Sequence, residues 1–154
     1  MNDLTSRALE LQHAAHELMY LGMDGEPVYS DNFCRLNKEV LVKSDSLFSA
    51  QSSDVEEEAN LCLALLMGYN ATVYDDGDKE QKKQMVLNRI CLVLEQLPAS
   101  LLKVRLLTYT YGEVYEEVLF QEAYAIIEGW NKDNLSSEQT EIIEELKNIE
   151  ENPY

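Results

Sequence analysis

The stretch Ser53-Asp54-Val55-Glu56-Glu57-Glu58-Ala59-Asn60-Leu61-Cys62-Leu63-Ala64-Leu65-Leu66-Met67-Gly68-Tyr69 decides the fold. It opens with Ser53-Asp54-Val55-Glu56, a capping-box form in which the serine and glutamate side chains satisfy each other's free backbone N–H groups. Val55, Ala59, Cys62, Leu66, Tyr69 and Val73 then recur at helical spacing. The middle, Leu61 to Met67, has no polar face. A helix that is apolar around its whole circumference has to be covered by other helices, so this one is expected at the centre.

The flanks supply those helices. Upstream, Leu4, Ala8, Leu11, Ala15 and Leu18 put one apolar stripe on a first helix. Leu21 to Ser30, with two glycines and a proline, reads as a loop. Ser30 caps a second helix from about Asp31, with Phe33, Leu36, Val40 and Leu47 inward. Downstream, Asp75 to Asp78 reads as a turn, and Val86, Ile90, Val93 and Leu97 form the inner face of a helix stopped by Pro98. Leu102, Leu106 and Tyr109 carry the next helix, Gly112 offers a break, and Leu119, Ala123, Ile126 and Trp130 resume the pattern. Ser136 to Gln139 is a second capping-box match, and it opens a last helix with Ile142, Leu146 and Ile149 inward. No segment alternates with the two-residue period of a strand. The expectation is an all-α chain of six or seven helices, residues 1–154 forming one bundle-like domain that ends in an acidic helix and tail over 131–154. A repeat-like stack of helical hairpins is the alternative. Against it, no internal repeat aligns: setting Gly68 at the glycine of a tetratricopeptide-like pair puts Glu80 and Gln84 where a small and an aromatic residue belong.

Charge narrows the possible partners. Twelve Lys and Arg stand against 29 Asp and Glu, a net −17. Nucleic-acid binding draws its affinity from Lys and Arg on phosphates, so direct DNA or RNA binding is not expected, and an anionic membrane surface is disfavoured likewise. A basic protein partner is favoured, because complementary fields speed encounter. The start of the chain lacks the basic and apolar regions of a signal peptide, and the longest apolar run, Leu61 to Tyr69, is too short to span a bilayer. Three cysteines, at spacings that fit no metal or redox motif, complete the expectation of a cytoplasmic protein.

No reaction centre assembles from the sequence. Glu10, His13, His16 and Glu17 form the best metal-like cluster, but a di-iron bundle needs a second Glu-x-x-His. On a helical wheel Glu10, His13 and Glu17 lie within about 60° of each other, opposite the leucine stripe, which is the wet face. The acidic turn at Asp75 to Asp78 fails as a calcium loop, since Thr72 and Lys83 occupy ligand positions. Cys62 and Cys91 lie on or beside apolar stripes as inert core thiols, and Cys34, beside Arg35, has no histidine near it in sequence. The expectation is a protein without cofactor, metal or catalysis. What remains is a surface rich in tyrosine, the residue type that anchors interfaces with much area and a polar tip.

Several stretches together resemble a known family. They are His13-Ala-Ala-His-Glu-Leu-Met-Tyr-Leu-Gly-Met-Asp-Gly-Glu-Pro-Val-Tyr-Ser-Asp31, continued by Arg35-Leu-Asn-Lys-Glu-Val40; Glu58-Ala-Asn-Leu-Cys-Leu-Ala-Leu-Leu-Met-Gly-Tyr-Asn-Ala71; Gln96-Leu-Pro-Ala-Ser-Leu-Leu-Lys-Val-Arg-Leu-Leu107; and the tail Glu150-Glu-Asn-Pro-Tyr154. The sequence is similar over essentially its whole length to the UpxZ family of transcription antitermination antagonists, which serve capsular polysaccharide loci. The resemblance implies inhibition, by protein contact, of NusG-like antiterminators belonging to other loci, with the antiterminator or RNA polymerase as partner. A generic acidic helical adaptor is the alternative, and a small helical metal-binding protein using the Glu10, His13 and Glu17 face is the third reading. The resemblance brings no site residues with it.

The residues themselves suggest two contact regions. The connection around Asp24, Glu26 and Tyr29, stiffened by Pro27, loses less entropy on binding than an ordinary linker, and Asp31 and Arg35 stand beside it. Tyr109, Tyr111 and Tyr115 cluster around Gly112. Oligomeric state is left open by the sequence.

Overall fold

The computed structural model describes residues 3–23, 30–73 and 78–151, and every structural statement below concerns these. They form seven helices and no strand: α1 (Asp3–Met23), α2 (Asp31–Phe48), α3 (Val55–Ala71), α4 (Lys79–Gln96), α5 (Leu101–Val114), α6 (Glu117–Glu128) and α7 (Ser137–Glu151). Contacts divide the chain into two compact units, Met1–Val93 and Leu94–Tyr154, so the division falls in the last turn of α4.

In the first unit α1 and α2 pack on each other and both lie against α3. The all-apolar reading of α3 holds: every residue from Ala59 to Tyr69 is buried. The stripes of α1 and α2 face inward as the spacing requires, with Ala8, Leu11, Ala15, Leu18, Phe33, Leu36, Val40 and Leu47 buried. Ser44, which the apolar pattern passes over, is buried too. Its hydroxyl donates to the Val40 carbonyl at 2.8 Å and sits where a side chain on Gly68 would be. Gly68 is therefore a close-packing position between α2 and α3, which explains the glycine without any repeat motif. Polar groups buried here have partners: Gln12 donates to the Asn60 carbonyl at 3.0 Å.

The helix starts follow the sequence with one shift. Ser30 caps α2, its side chain accepting from the Phe33 N–H. Ser136 and Gln139 form the reciprocal box of α7 at 3.0 and 2.8 Å. At α3 the cap is Asp54, not Ser53: its carboxylate accepts from the Glu57 N–H at 2.8 Å, and the Glu57 carboxylate reaches back to the Ser53 N–H at 2.6 Å. The motif is displaced one residue because aspartate caps as well as serine.

Side chains of α4 tie it to the first unit. Arg89 makes two parallel bonds to Glu58, Nε to Oε2 at 2.8 Å and Nη2 to Oε1 at 2.7 Å. Ser52 also donates to Glu58 Oε1. Lys82 reaches Asp45 at 3.0 Å and Asp78 at 3.2 Å, and the Tyr69 hydroxyl donates to the same Asp45 oxygen at 2.7 Å. Burial alone would lower the Lys82 ammonium, but the hydrogen bonds it donates to these two aspartates outweigh burial and raise it. After α3 the backbone of Val73 exchanges two bonds with the Asn37 side-chain amide, at 2.9 and 2.7 Å.

The second unit is built on α5, with α6 and α7 against it. Its core holds Val104, Leu107 and Tyr111 from α5, Ala123 and Ile127 from α6, and Ile142, Leu146 and Ile149 from α7. The expected inward face of α5 is corrected by this. Leu106 is buried, but Leu102 and Tyr109 are only half-buried, and Val104, Leu107 and Tyr111 form the core stripe. Leu119 and Ile126 on α6, and Trp130 just beyond its end, likewise pack as a partly buried margin around the core. Gly112 does not break α5. A side chain there would approach Ile149 Cδ1 at 3.3 Å, so it marks the close passage of α7, and the helix runs on to Val114.

One polar group in α5 is buried without compensation. Thr108 donates to the carbonyl one turn back, Val104, at 2.7 Å, whereas Thr110 Oγ1 is buried with no hydrogen-bond partner among the described residues. Thr110→Val removes that hydroxyl while keeping the shape, and it is expected to raise stability by about 1 kcal/mol. Urea unfolding checks this; a loss of stability would mean that the hydroxyl has a partner after all.

Candidate interaction surface

The clustered tyrosines do not behave alike. Tyr109 is half-buried against the core of the second unit, and Tyr111 is only 8% exposed. Tyr111 is thus a core residue and not the free contact residue that its spacing suggested. Burial first, then the carboxylates of Glu117 and Glu150, push its phenol above the ordinary value. Tyr115 is 37% exposed and has φ 55°, the one positive φ among the non-glycine residues described. It closes α5 in the left-handed conformation, its N–H donating to the Tyr111 carbonyl at 2.8 Å. Glycine is the usual residue at such a position, because a Cβ there is crowded.

Tyr115 ends a run of aromatic contacts that starts in the core. The Tyr124 and Phe120 ring centroids are 4.6 Å apart, Phe120 and Tyr111 5.3 Å, and Tyr111 and Tyr115 5.6 Å, the last pair edge to face. Beside Tyr115 lie Val114 and Val118, 38% and 62% exposed, so residues 114–118, Val-Tyr-Glu-Glu-Val, are exposed without interruption. The two valines were not singled out by periodicity, because they stand on either side of the joint between two helices. The signal was present as an apolar-aromatic-acid-acid-apolar run.

Acids gather around this joint from two helices. Glu116 and Glu117 are in the run itself, and the contact of Gly112 with Ile149 brings the last turn of α7, with Glu150 and Glu151, against the last turn of α5. Neither turn contains a basic residue. The α5 and α7 C-termini each carry the equivalent of roughly half a negative charge and the α6 N-terminus at Glu117 about half a positive one, so it is the carboxylates that make the joint negative. Burial first, then Glu150 and Glu151, raise the Tyr124 phenol as well, which places the same field over the aromatic run.

The other region named from sequence is divided. Asp24, Glu26 and Tyr29 lie outside the described residues. Asp31 and Arg35 are exposed at the start of α2, with Arg35 Nη2 donating to Asn32 Oδ1 at 3.0 Å. They belong to the first unit and the tyrosines to the second.

The metal and thiol candidates fall mainly where the helical wheel puts them. Glu10, His13 and Glu17 are exposed on α1, Glu10 receives Lys43 at 3.4 Å, and His16 packs its ring edge on Tyr20 at 4.5 Å. Among the described residues no three His, Cys, Asp or Glu side chains come together to hold a metal ion. Cys62 is buried, and burial first, then the Glu58 carboxylate, pushes its thiol up to about 12, the opposite of an activated nucleophile. Cys91 is exposed and not the core thiol expected; it lies off the Val86, Ile90 and Val93 face of α4. Cys34 is exposed. No described helix is long and apolar enough to cross a membrane.

A model of the UpxZ family of transcription anti-terminator antagonists matches residues 8–112. A solved crystal structure, that of a transcription anti-terminator antagonist UpxZ from Bacteroides uniformis, is 67% identical, with a TM-score of 0.89 over 99% of this chain and 96% of that one. Comparison with curated proteins gives no match.

Proposed function

Because the chain belongs to the UpxZ family of transcription anti-terminator antagonists, we propose that it silences NusG-like antiterminators encoded by other capsular polysaccharide loci, by direct contact and without catalysis. The observation that carries this is the match of residues 8–112 to the family, joined to 67% identity with a solved antagonist along nearly the whole chain. Charge supports a protein partner. The net −17 opposes binding to the transcript and suits a basic surface on an antiterminator or on RNA polymerase.

The test is transcription of a capsule operon leader in vitro, with polymerase and a NusG-like antiterminator from a different locus. Added protein is expected to abolish read-through, and the antiterminator or polymerase is expected to be captured on immobilised protein. Association should slow several-fold between low and physiological salt while dissociation changes little, since screening over about 8 Å removes steering first. Read-through that persists at saturating protein, or sub-micromolar binding to leader RNA at physiological salt, would remove this reading.

A further inference from the structure

Between Leu106 and Asn131 the chain has no lysine or arginine. In that stretch the apolar and aromatic side chains Val114, Tyr115 and Val118 are exposed together, with Glu116 and Glu117 between them and Glu150 and Glu151 arriving on the end of α7. An apolar anchor point inside a charged margin is how binding hot spots are built. Here the charged side chains of the margin have one sign.

We propose that the α5–α6 joint, with the last turn of α7, is a docking surface for a basic protein segment. Such a segment seats an apolar side chain on Val114, Tyr115 and Val118 and a lysine or arginine among Glu116, Glu117, Glu150 and Glu151. The occupant follows from charge complementarity: an acidic or neutral segment would meet like charge or leave the four carboxylates uncompensated, and a cation answers them. Tyr115 supports the assignment. Its backbone takes a conformation that glycine adopts freely, yet an aromatic ring is held there, edge-on to Tyr111 and open to solvent. A tyrosine face also attracts a cation directly. Met85 and Leu92, exposed on α4, offer no comparable clue to what covers them.

This inference rests on the functional reading above, in that the basic segment is assigned to the antagonised antiterminator. The test measures binding of purified full-length protein to the NusG-like antiterminator for wild type, Tyr115→Gly, Val118→Asp, the pair Glu116→Lys with Glu117→Lys, and Met85→Ala with Leu92→Ala as control. Tyr115→Gly relieves the left-handed backbone, so it is expected to fold at least as stably as wild type. Even so, it and the other two joint variants should bind at least about tenfold more weakly, while the α4 control binds as wild type. If wild type binds and the joint variants bind equally well, the surface is overturned and the functional reading stands. If the α4 control weakens as much as they do, the location is overturned. If wild type itself does not bind, the functional reading falls and this occupant with it.

Discussion

Valine in place of Gly68 is expected to lower stability by about 3 kcal/mol, close to the upper end of what overpacking costs. A Cβ built on Gly68 lies well under 3.0 Å from Ser44 Oγ, with Ser44 Cβ at 3.4 Å and Leu11 Cδ1 at 3.5 Å. All three neighbours belong to helices packed on α3, so relief requires α1 or α2 to move or Ser44 to leave its bond to Val40. Alanine should cost less, because only the serine hydroxyl opposes it. The informative combination is Gly68→Ala with Ser44→Ala. Removing the hydroxyl leaves the nearest atom at 3.4 Å, an ordinary contact, and alanine gains about 1 kcal/mol of helix propensity over glycine. The double variant is therefore expected to match wild type or exceed it, giving a coupling of opposite sign to the single loss in urea unfolding. A Gly68→Ala protein as stable as wild type would show that α2 and α3 are not in the contact described.

Arg89→Met is expected to cost about 2 kcal/mol at neutral pH. The full penalty for stranding a buried charge is larger; about a quarter of each partner's side chain reaches solvent, 28% for Arg89 and 23% for Glu58, and water softens the loss. The pH dependence has a definite sign. Burial would raise the Glu58 carboxyl, but the bonds from Arg89 and Ser52 outweigh it and hold it below its ordinary value of 4.5. A carboxyl depressed in the folded state contributes stability that is fully present above its unfolded value and disappears as pH falls through its folded one. In the variant burial acts with less opposition, so the carboxyl rises and protonates earlier. The difference between wild type and variant should be largest at pH 7 and shrink as pH falls below 4.5. Unfolding at matched ionic strength across that range measures it, and a difference independent of pH would assign the loss to packing of the arginine stem.

The sequence revealed those parts of the fold that depend on one helix at a time. The stripes of α1, α2 and α7, the caps at Ser30 and Ser136 and the uniformly apolar α3 each follow from local spacing. Features that depend on two helices were hidden. Ser44 looks like a polar interruption in α2 until Gly68 is seen opposite it, and Gly112 looks like a helix breaker until Ile149 is seen against it. The inward face of α5 was misread for a related reason. Leu106, Thr108 and Thr110 are buried as well as Val104, Leu107 and Tyr111, so no single stripe marks one side. Of the proposed contact residues, Tyr115 could be named from its neighbourhood, but Tyr111 could not be separated from it without knowing which ring faces the core. Val114 and Val118 become a surface only because the helix ends between them.

The pairing of cations with carboxylates bears on how the protein meets others of its own kind. Lys43, Lys82, Lys83, Arg89 and Lys103 each face a carboxylate of the unit they belong to. Four of these pairs, those of Lys43, Lys82, Arg89 and Lys103, join two helices, and the charge in excess over the whole chain is negative. Two copies approaching in dilute salt therefore repel before any apolar group can touch, which favours dispersed molecules over aggregates at low ionic strength. Physiological salt screens that repulsion to contact range. Discrimination between a copy of itself and the basic target proposed above is then left to the few ångströms in which side chains fit or fail to fit.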